Sequence, residues 1–117
     1  MENKLQLRIE NLTIGYGKGK TRKPVLTDLN ITTECGSLIA LVGSNGKGKS
    51  TLLKTIAGLL NPLKGNIYIN NRELSTIDRL SRAKLISYVG TSYEINKSLK
   101  VRDLVALGRY PYSNIFG

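Results

Sequence analysis

Residues 40–60, ALVGSNGKGKSTLLKTIAGLL, decide how this chain is interpreted. They follow on from an apolar run over 37–43, which is typical of a short strand covered on both faces. The stretch continues through a glycine-rich bend and ends in a helical pattern, which predicts a helix over 48–60 that stops at Asn61-Pro62. The apolar positions of that helix are Leu52, Leu53, Ile56, Ala57, Leu59 and Leu60. A strand, a tight bend and a helix in this order are the setting of a phosphate-binding loop.

The bend carries a complete phosphate-binding motif. Gly43, Gly48, Lys49 and Ser50 match G-x-x-x-x-G-K-[ST] with no gap and no substitution. Together with Gly46, the two glycines permit the bend and let an anion approach the backbone without a Cβ in the way. The other interpretation is a fortuitous glycine-rich turn in front of a core helix.

Each polar group of the motif has a predicted role. We expect the backbone N–H groups from 45 to 50 to point at phosphate oxygens, helped by the positive end of the helix dipole. Lys49 is predicted to reach the β- and γ-phosphates, the Ser50 hydroxyl to ligate Mg²⁺, and Thr51 to bond the α-phosphate. The predicted nucleotide-binding set in this stretch is Gly43, Asn45, Gly46, Lys47, Gly48, Lys49, Ser50 and Thr51.

The rest of the chain alternates strand and helix patterns, which indicates an α/β fold. Apolar residues alternate over 4–16 with one slip before Leu12, and the next strand is irregular around Asp28. Between them, 15–24 is a basic loop with cations at Lys18, Lys20, Arg22 and Lys23. Ser75 and Asp78 resemble a capping box, which predicts a helix that runs through Ile77 and Leu80 to Leu85. The other predicted elements are strands at 67–69 and 86–90 and a helix over 101–107.

The bulk composition sets limits on the class of protein. The chain has 117 residues with a net charge of +10, so its partner is an anion or its basic residues are balanced by acidic residues elsewhere. Its one cysteine, Cys35, excludes an internal disulfide and suits a reducing compartment. The first residues lack the apolar segment of a secretory signal.

The stretch GSNGKGKSTLLKTIAGLLNPLKGNIYI, residues 43–69, resembles the ATP-binding subunits of ABC transporters. The resemblance implies a P-loop NTPase core of ABC type with an N-terminal antiparallel β subdomain, and it implies ATP and Mg²⁺ as cofactors. It also implies that Tyr16, in LTIGYG, stacks on the adenine. The alternative for Tyr16 is a strand-end tyrosine half buried for packing. Lys47 stands where the family has a small residue, so it either adds a cation beside the phosphates or faces solvent.

The segment VRDLVALGRYPYSNIFG, residues 101–117, is similar to the importers of iron–siderophore, haem and cobalamin. There it begins the helical subdomain that docks on the membrane permease; the other interpretation is an amphipathic core helix. The resemblance implies a peripheral protein on the cytoplasmic face of the membrane, partnered by a permease and a second nucleotide-binding subunit, with no nucleic acid. It divides the chain into an antiparallel part at 1–36, a P-loop core and β arm at 37–91, and the start of the helical subdomain at 92–117.

Several features that the family needs for hydrolysis are missing from this sequence. Gly90 and Thr91 stand where the family places a glutamine, and a threonine is too short to contact both metal and attacking water. No apolar strand ends in Asp-Glu, no LSGGQ-like signature occurs, and there is no histidine. We therefore expect a chain truncated before the Walker B strand, with hydrolysis only in the full-length subunit and no catalytic residue among these 117.

Two other functions fit parts of the sequence. A non-catalytic module that senses or sequesters nucleotide would use the same loop. A nucleic-acid-binding protein would account for the net charge of +10, but the cations are scattered and the aromatic residues are not interleaved with them.

Overall fold

A four-stranded antiparallel sheet organises the computed structural model, which describes residues 6–90 and 98–112. The strands lie in the order β2-β1-β3-β4. They are β1 Leu7–Tyr16, β2 Lys23–Thr32, β3 Lys64–Ile69 and β4 Arg72–Glu73. The predicted antiparallel N-terminal sheet is confirmed, while β4 was not expected from the sequence.

Two of the three register shifts in the β1–β2 pair account for the irregular alternation in the sequence. Ile9 pairs with Ile31 and Leu12 with Leu29, so β1 holds one extra residue between these pairs. Asn11 lies there with a φ of 48°, and Asp28 lies in β2 with a φ of 53°. Asn and Asp tolerate this left-handed conformation better than other residues, so each bulge falls where such a residue stands.

The core lies where β1, β3 and the first helix come together. Ile14 and Leu12 are fully buried, and Thr55 of the helix is 1% exposed. Among the residues that the structure describes, the buried apolar side chains are Ile9, Leu12, Ile14, Leu52, Ile67, Ile69, Leu74 and Ile77. All of them belong to the first of two compact units of the chain, Met1–Ile77 and Asp78–Gly117.

Helix α1, Lys49–Ile56, is shorter than the predicted 48–60 and buries a different face. Gly58, at φ 82°, ends it, because the Leu59 N–H bonds the Lys54 carbonyl at 2.9 Å and the Gly58 N–H bonds the Thr55 carbonyl at 3.1 Å. The predicted stop at Asn61-Pro62 is therefore wrong. Thr51, Leu52 and Thr55 face the core, whereas Leu53 is 48% exposed.

The predicted strand at 37–43 is wrong. The segment has no regular secondary structure, and Leu38 and Val42 are 101% and 88% exposed. A covered strand of a parallel sheet receives its backbone hydrogen bonds from neighbouring strands, and no described strand pairs with this segment.

In the second unit, helix α2 spans Arg79–Leu85 and helix α3 spans Val101–Ala106, followed by a 3₁₀ turn over Leu107–Tyr112. Asp78 caps α2, since its carboxylate accepts the Ser81 N–H at 3.1 Å. Hydrogen bonding from the Ser81 side chain, and after it from the Ser81 N–H, keeps the pKa of the Asp78 carboxyl below its ordinary value.

Two predictions around these helices are wrong. Ser75 lies in a separate 3₁₀ turn, Leu74–Thr76, so it does not begin the helix. Residues 86–90 form no strand, because no described strand pairs with them. The helix predicted over 101–107 is confirmed in place, ending one residue early.

Candidate functional site

The glycine-rich bend lies between the irregular segment 37–43 and helix α1. Gly46 has a φ of 81° and Gly48 a φ of 97°, both in the left-handed region that glycine adopts at little cost. Gly48 is the N-cap of α1, and its carbonyl accepts the Leu52 N–H at 2.9 Å. The motif glycine thus turns the chain directly into the helix.

Strand β2 packs against the bend at Gly48. A Cβ at this position would lie 2.6 Å from Val25 Cγ1 and 3.2 Å from two carbons of Leu26. Both the backbone angle and the packing therefore require glycine. The support given by Val25 and Leu26 was not predicted, because no sequence signal links a strand residue to a loop more than twenty residues away.

The Lys49 side chain runs back across the bend. Its ammonium donates a hydrogen bond to the Gly43 carbonyl, and the Lys49 Cδ lies 3.8 Å from where a Gly43 Cβ would stand. The two ends of the bend are thereby joined, with a positive charge held at the loop backbone. An ammonium bonds a charged acceptor more strongly than a neutral carbonyl, so an anion at the bend would compete well with Gly43 for Lys49.

The other predicted loop residues are open to solvent. Asn45, Gly46, Lys47 and Ser50 are all exposed, and Ser50 lies in the first turn of α1. The Ser50 hydroxyl makes no side-chain hydrogen bond to the part of the chain that the structure describes. Its oxygen is therefore accessible to a hard cation such as Mg²⁺.

Tyr16 and Thr51 meet beside the bend. The Tyr16 hydroxyl lies 3.1 Å from the Thr51 Oγ1, and either can be the donor. Tyr16 is the last residue of β1 and is 48% exposed, while Thr51, in the first turn of α1, is 7% exposed. The sequence placed each residue near a nucleotide separately and did not predict that they touch.

The basic loop after β1 is solvent-exposed along its length. Lys18, Lys20, Arg22 and Lys23 are all exposed, and the Arg22 guanidinium donates to the Leu63 carbonyl at 3.2 Å. Lys18 and Arg22 contribute to the lining of an open groove of about 280 Å³. The loop is a solvated connection, as expected.

The remaining predicted feature, the glutamine position, is only partly visible. Gly90 is described, but Thr91 lies outside the described residues. Within 6–90 and 98–112, no three His, Cys, Asp or Glu side chains gather into a metal cluster. No helix in those ranges is long and apolar enough to cross a membrane.

Comparisons with known proteins agree on one family. The family model described as "ABC transporter" matches residues 26–113. Over 106 residues the chain is 42% identical to the hemin import ATP-binding protein of Idiomarina loihiensis, covering 91% of this chain and 38% of that protein. It is 36% identical to the petrobactin import ATP-binding protein of Bacillus subtilis, covering 92% of this chain and 41% of that protein.

Solved structures give the same result. A putative ABC transporter ATP-binding protein from Pyrococcus furiosus matches with a TM-score of 0.72 and 33% identity, over 87% of this chain and 46% of that one. An ATP-binding subunit of an ABC transporter matches with a TM-score of 0.74 and 31% identity, over 91% of this chain and 42% of that one. The chain spans about two fifths of the length of its curated relatives, from 37% to 41%.

Proposed function

Because the chain belongs to the ATP-binding proteins of ABC transporters, we propose that its glycine-rich bend binds the triphosphate of MgATP. One observation carries the proposal: Gly48 turns the bend into α1 while the Lys49 ammonium is held across the bend at the Gly43 carbonyl. The N-terminus of α1, with its free N–H groups and the positive end of its dipole, thus lies next to a cation, and both favour an anion.

Each residue of the bend has a proposed part in binding. Lys49 pairs with the β- and γ-phosphates, the amides of 45–50 bond phosphate oxygens, and Thr51 bonds the α-phosphate. The exposed Ser50 hydroxyl fits Mg²⁺, which prefers oxygen ligands and retains several waters. Bound Mg²⁺ supplies charge neutralisation between the phosphates. Lys47 adds long-range attraction, and Tyr16 provides a half-exposed ring for the adenine.

The proposed physiological role is energising an importer. The relatives named for hemin and petrobactin import support an iron-siderophore, haem or cobalamin importer, with a membrane permease and a second nucleotide-binding subunit as partners. We propose a location on the cytoplasmic face of the membrane and keep the division at 1–36, 37–91 and 92–117. Hydrolysis is proposed only for a subunit that also carries the Asp-Glu strand and signature, which are not in this sequence.

The test is MgATP affinity measured by isothermal titration calorimetry on the 117-residue chain and two single-charge variants. Lys49→Ala is expected to weaken binding about tenfold to a hundredfold, the value of a hydrogen bond to a charged group. Lys64→Ala is the matched control, since it removes the same charge from an exposed site on β3 and is expected to change affinity less than about twofold.

Three results would contradict the assignment. An unchanged affinity in Lys49→Ala would show that the bend is not the site. Equal losses in both variants, or a steep fall of MgATP affinity with salt concentration, would show that the chain binds by its overall charge and not through the bend. Failure of the unsubstituted chain to bind MgATP would contradict the assignment directly.

A further inference from the structure

The contact between Tyr16 and Thr51 joins the residue proposed for the adenine to a residue proposed for the phosphates. Their hydroxyl oxygens are 3.1 Å apart, a normal hydrogen-bond distance. An aromatic residue needed only for stacking has no use for a hydroxyl at this place, because a phenylalanine ring offers the same π face. The hydroxyl therefore calls for a reason of its own.

Thr51 is fixed in place. It is 7% exposed and lies in the first turn of α1. Its carbonyl accepts a hydrogen bond at 2.7 Å from the hydroxyl of Thr55, which is 1% exposed. Its own hydroxyl carries one hydrogen and two acceptor sites. The contact with Tyr16 is part-buried, so fewer waters compete for the Thr51 hydroxyl and the bond to Tyr16 helps to orient it.

The direction of the hydrogen bond follows from the chemistry of the two groups. Either hydroxyl can donate, but a phenol is a stronger donor than an aliphatic alcohol, which favours the arrangement in which the Tyr16 hydroxyl donates and the Thr51 Oγ1 accepts. The Thr51 hydrogen is then free to donate to a further acceptor. A hydroxyl that accepts one hydrogen bond donates a stronger one, since hydrogen bonds in a chain polarise one another.

We propose that Tyr16 is a positioning residue for the phosphate chain, acting through Thr51: the Tyr16 hydroxyl donates to Thr51 Oγ1, which donates to a phosphate oxygen. These two hydrogen bonds in series form a relay, and the proposal rests on the triphosphate site at 43–50. Its consequence is that Tyr16 contributes to binding a polyphosphate that has no base.

The experiment measures the affinity for magnesium tripolyphosphate and for MgATP by calorimetry on the 117-residue chain. Tyr16→Phe is expected to weaken both ligands by the same factor, about threefold to tenfold, because it removes one hydrogen bond and keeps the ring. Thr51→Val is expected to weaken both as well. Adding Tyr16→Phe to Thr51→Val should cause no further loss, since the relay is already broken.

Conservative variants separate this role from a structural one. Thr51→Ser keeps the hydroxyl and is expected to restore the sensitivity to Tyr16→Phe. If Thr51→Val fails to fold, the tripolyphosphate affinity of Tyr16→Phe still tests the proposal, because the relay predicts a loss in that single variant. A Tyr16→Phe variant that binds tripolyphosphate as well as the unsubstituted chain overturns the proposal, and so do fully additive losses in the double variant.

Failure of the relay and failure of the phosphate site give different results. If Lys49→Ala loses tripolyphosphate affinity while Tyr16→Phe keeps it, the site stands and the relay is wrong. If Lys49→Ala also keeps its affinity, the phosphate site itself is wrong and the relay is overturned with it.

Discussion

Replacing the three glycines of the bend one at a time tests its geometry. Gly43 and Gly48 are fixed positions of the motif and Gly46 lies between them, and the three differ in their backbone conformation and packing. Gly43 lies outside the left-handed region, and its Cβ would meet only Lys49 Cδ at 3.8 Å. Gly46 has a φ of 81° with open space around it, whereas Gly48 has a φ of 97° and packs against β2.

The magnitudes follow from these differences. A left-handed backbone is less favourable by about 1–2 kcal/mol for a residue that has a Cβ. Gly46→Ala is expected to lower the free energy of unfolding by this amount and no more, because the space around it is open. At Gly48 the 2.6 Å approach to Val25 Cγ1 adds an overpacking cost of about 1–3 kcal/mol. The added cost is expected in the lower half of that range because Val25 is 38% exposed and able to move. Gly43→Ala is expected to stay within about 0.5 kcal/mol of the unsubstituted chain.

The measurement is the free energy of unfolding from urea titration, followed by far-ultraviolet circular dichroism. The order of destabilisation is expected to be Gly48→Ala above Gly46→Ala above Gly43→Ala. Equal destabilisation of Gly46→Ala and Gly48→Ala would show that β2 does not pack on the bend. A Gly43→Ala variant as unstable as Gly48→Ala would refute the loop geometry altogether.

Two further predictions concern the core and the cap of α2. Leu12→Ala, at a fully buried position, is expected to lower the free energy of unfolding by about 2–5 kcal/mol. Ile31→Ala, at a site that is 38% exposed, is expected to lower it by less than about 1 kcal/mol. Urea titration of both variants checks this difference, and equal losses would place Leu12 outside the core. Because the pKa of the Asp78 carboxyl is lowered in the folded chain by its bond to Ser81, its stabilising contribution is present above the ordinary Asp pKa and is lost as pH falls through the lowered value. Asp78→Asn keeps a capping side chain that does not titrate, so the helicity of α2 is expected to become less sensitive to acid. An acid titration of helicity that is the same in the variant and the unsubstituted chain would contradict the cap.

The sequence was most informative where local patterns determine local structure. The alternation over β1 predicted not only the strand but its slip, because Asn11 adopts the left-handed conformation that the bulge needs. The Gly48-Lys49-Ser50 triplet likewise predicted where α1 begins, since a glycine N-cap and free helix amides are local features. The antiparallel pairing of β1 and β2 follows from two adjacent strand patterns joined by one short loop.

The wrong predictions depended on partners distant in the sequence or on competing local bonds. An apolar run becomes a strand only when neighbours complete its hydrogen bonds, and none of the described strands does so for 37–43. Ser75 and Asp78 both fit a helix cap, and the carboxylate of Asp78 is the group that reaches the N–H of Ser81. The contact of Tyr16 with Thr51 could not be predicted, because it joins two elements by a side-chain bond across 35 residues.

Backbone amide shifts in a ¹H–¹⁵N NMR titration with MgATP show which residues of the chain lie at the bound triphosphate. If the bend binds the triphosphate, the largest changes will fall on the amides of 45–51, and in Lys49→Ala they will need about tenfold to a hundredfold more MgATP to develop. Changes confined to the basic loop at 18–23, or spread evenly over the cations of the chain, would contradict the account.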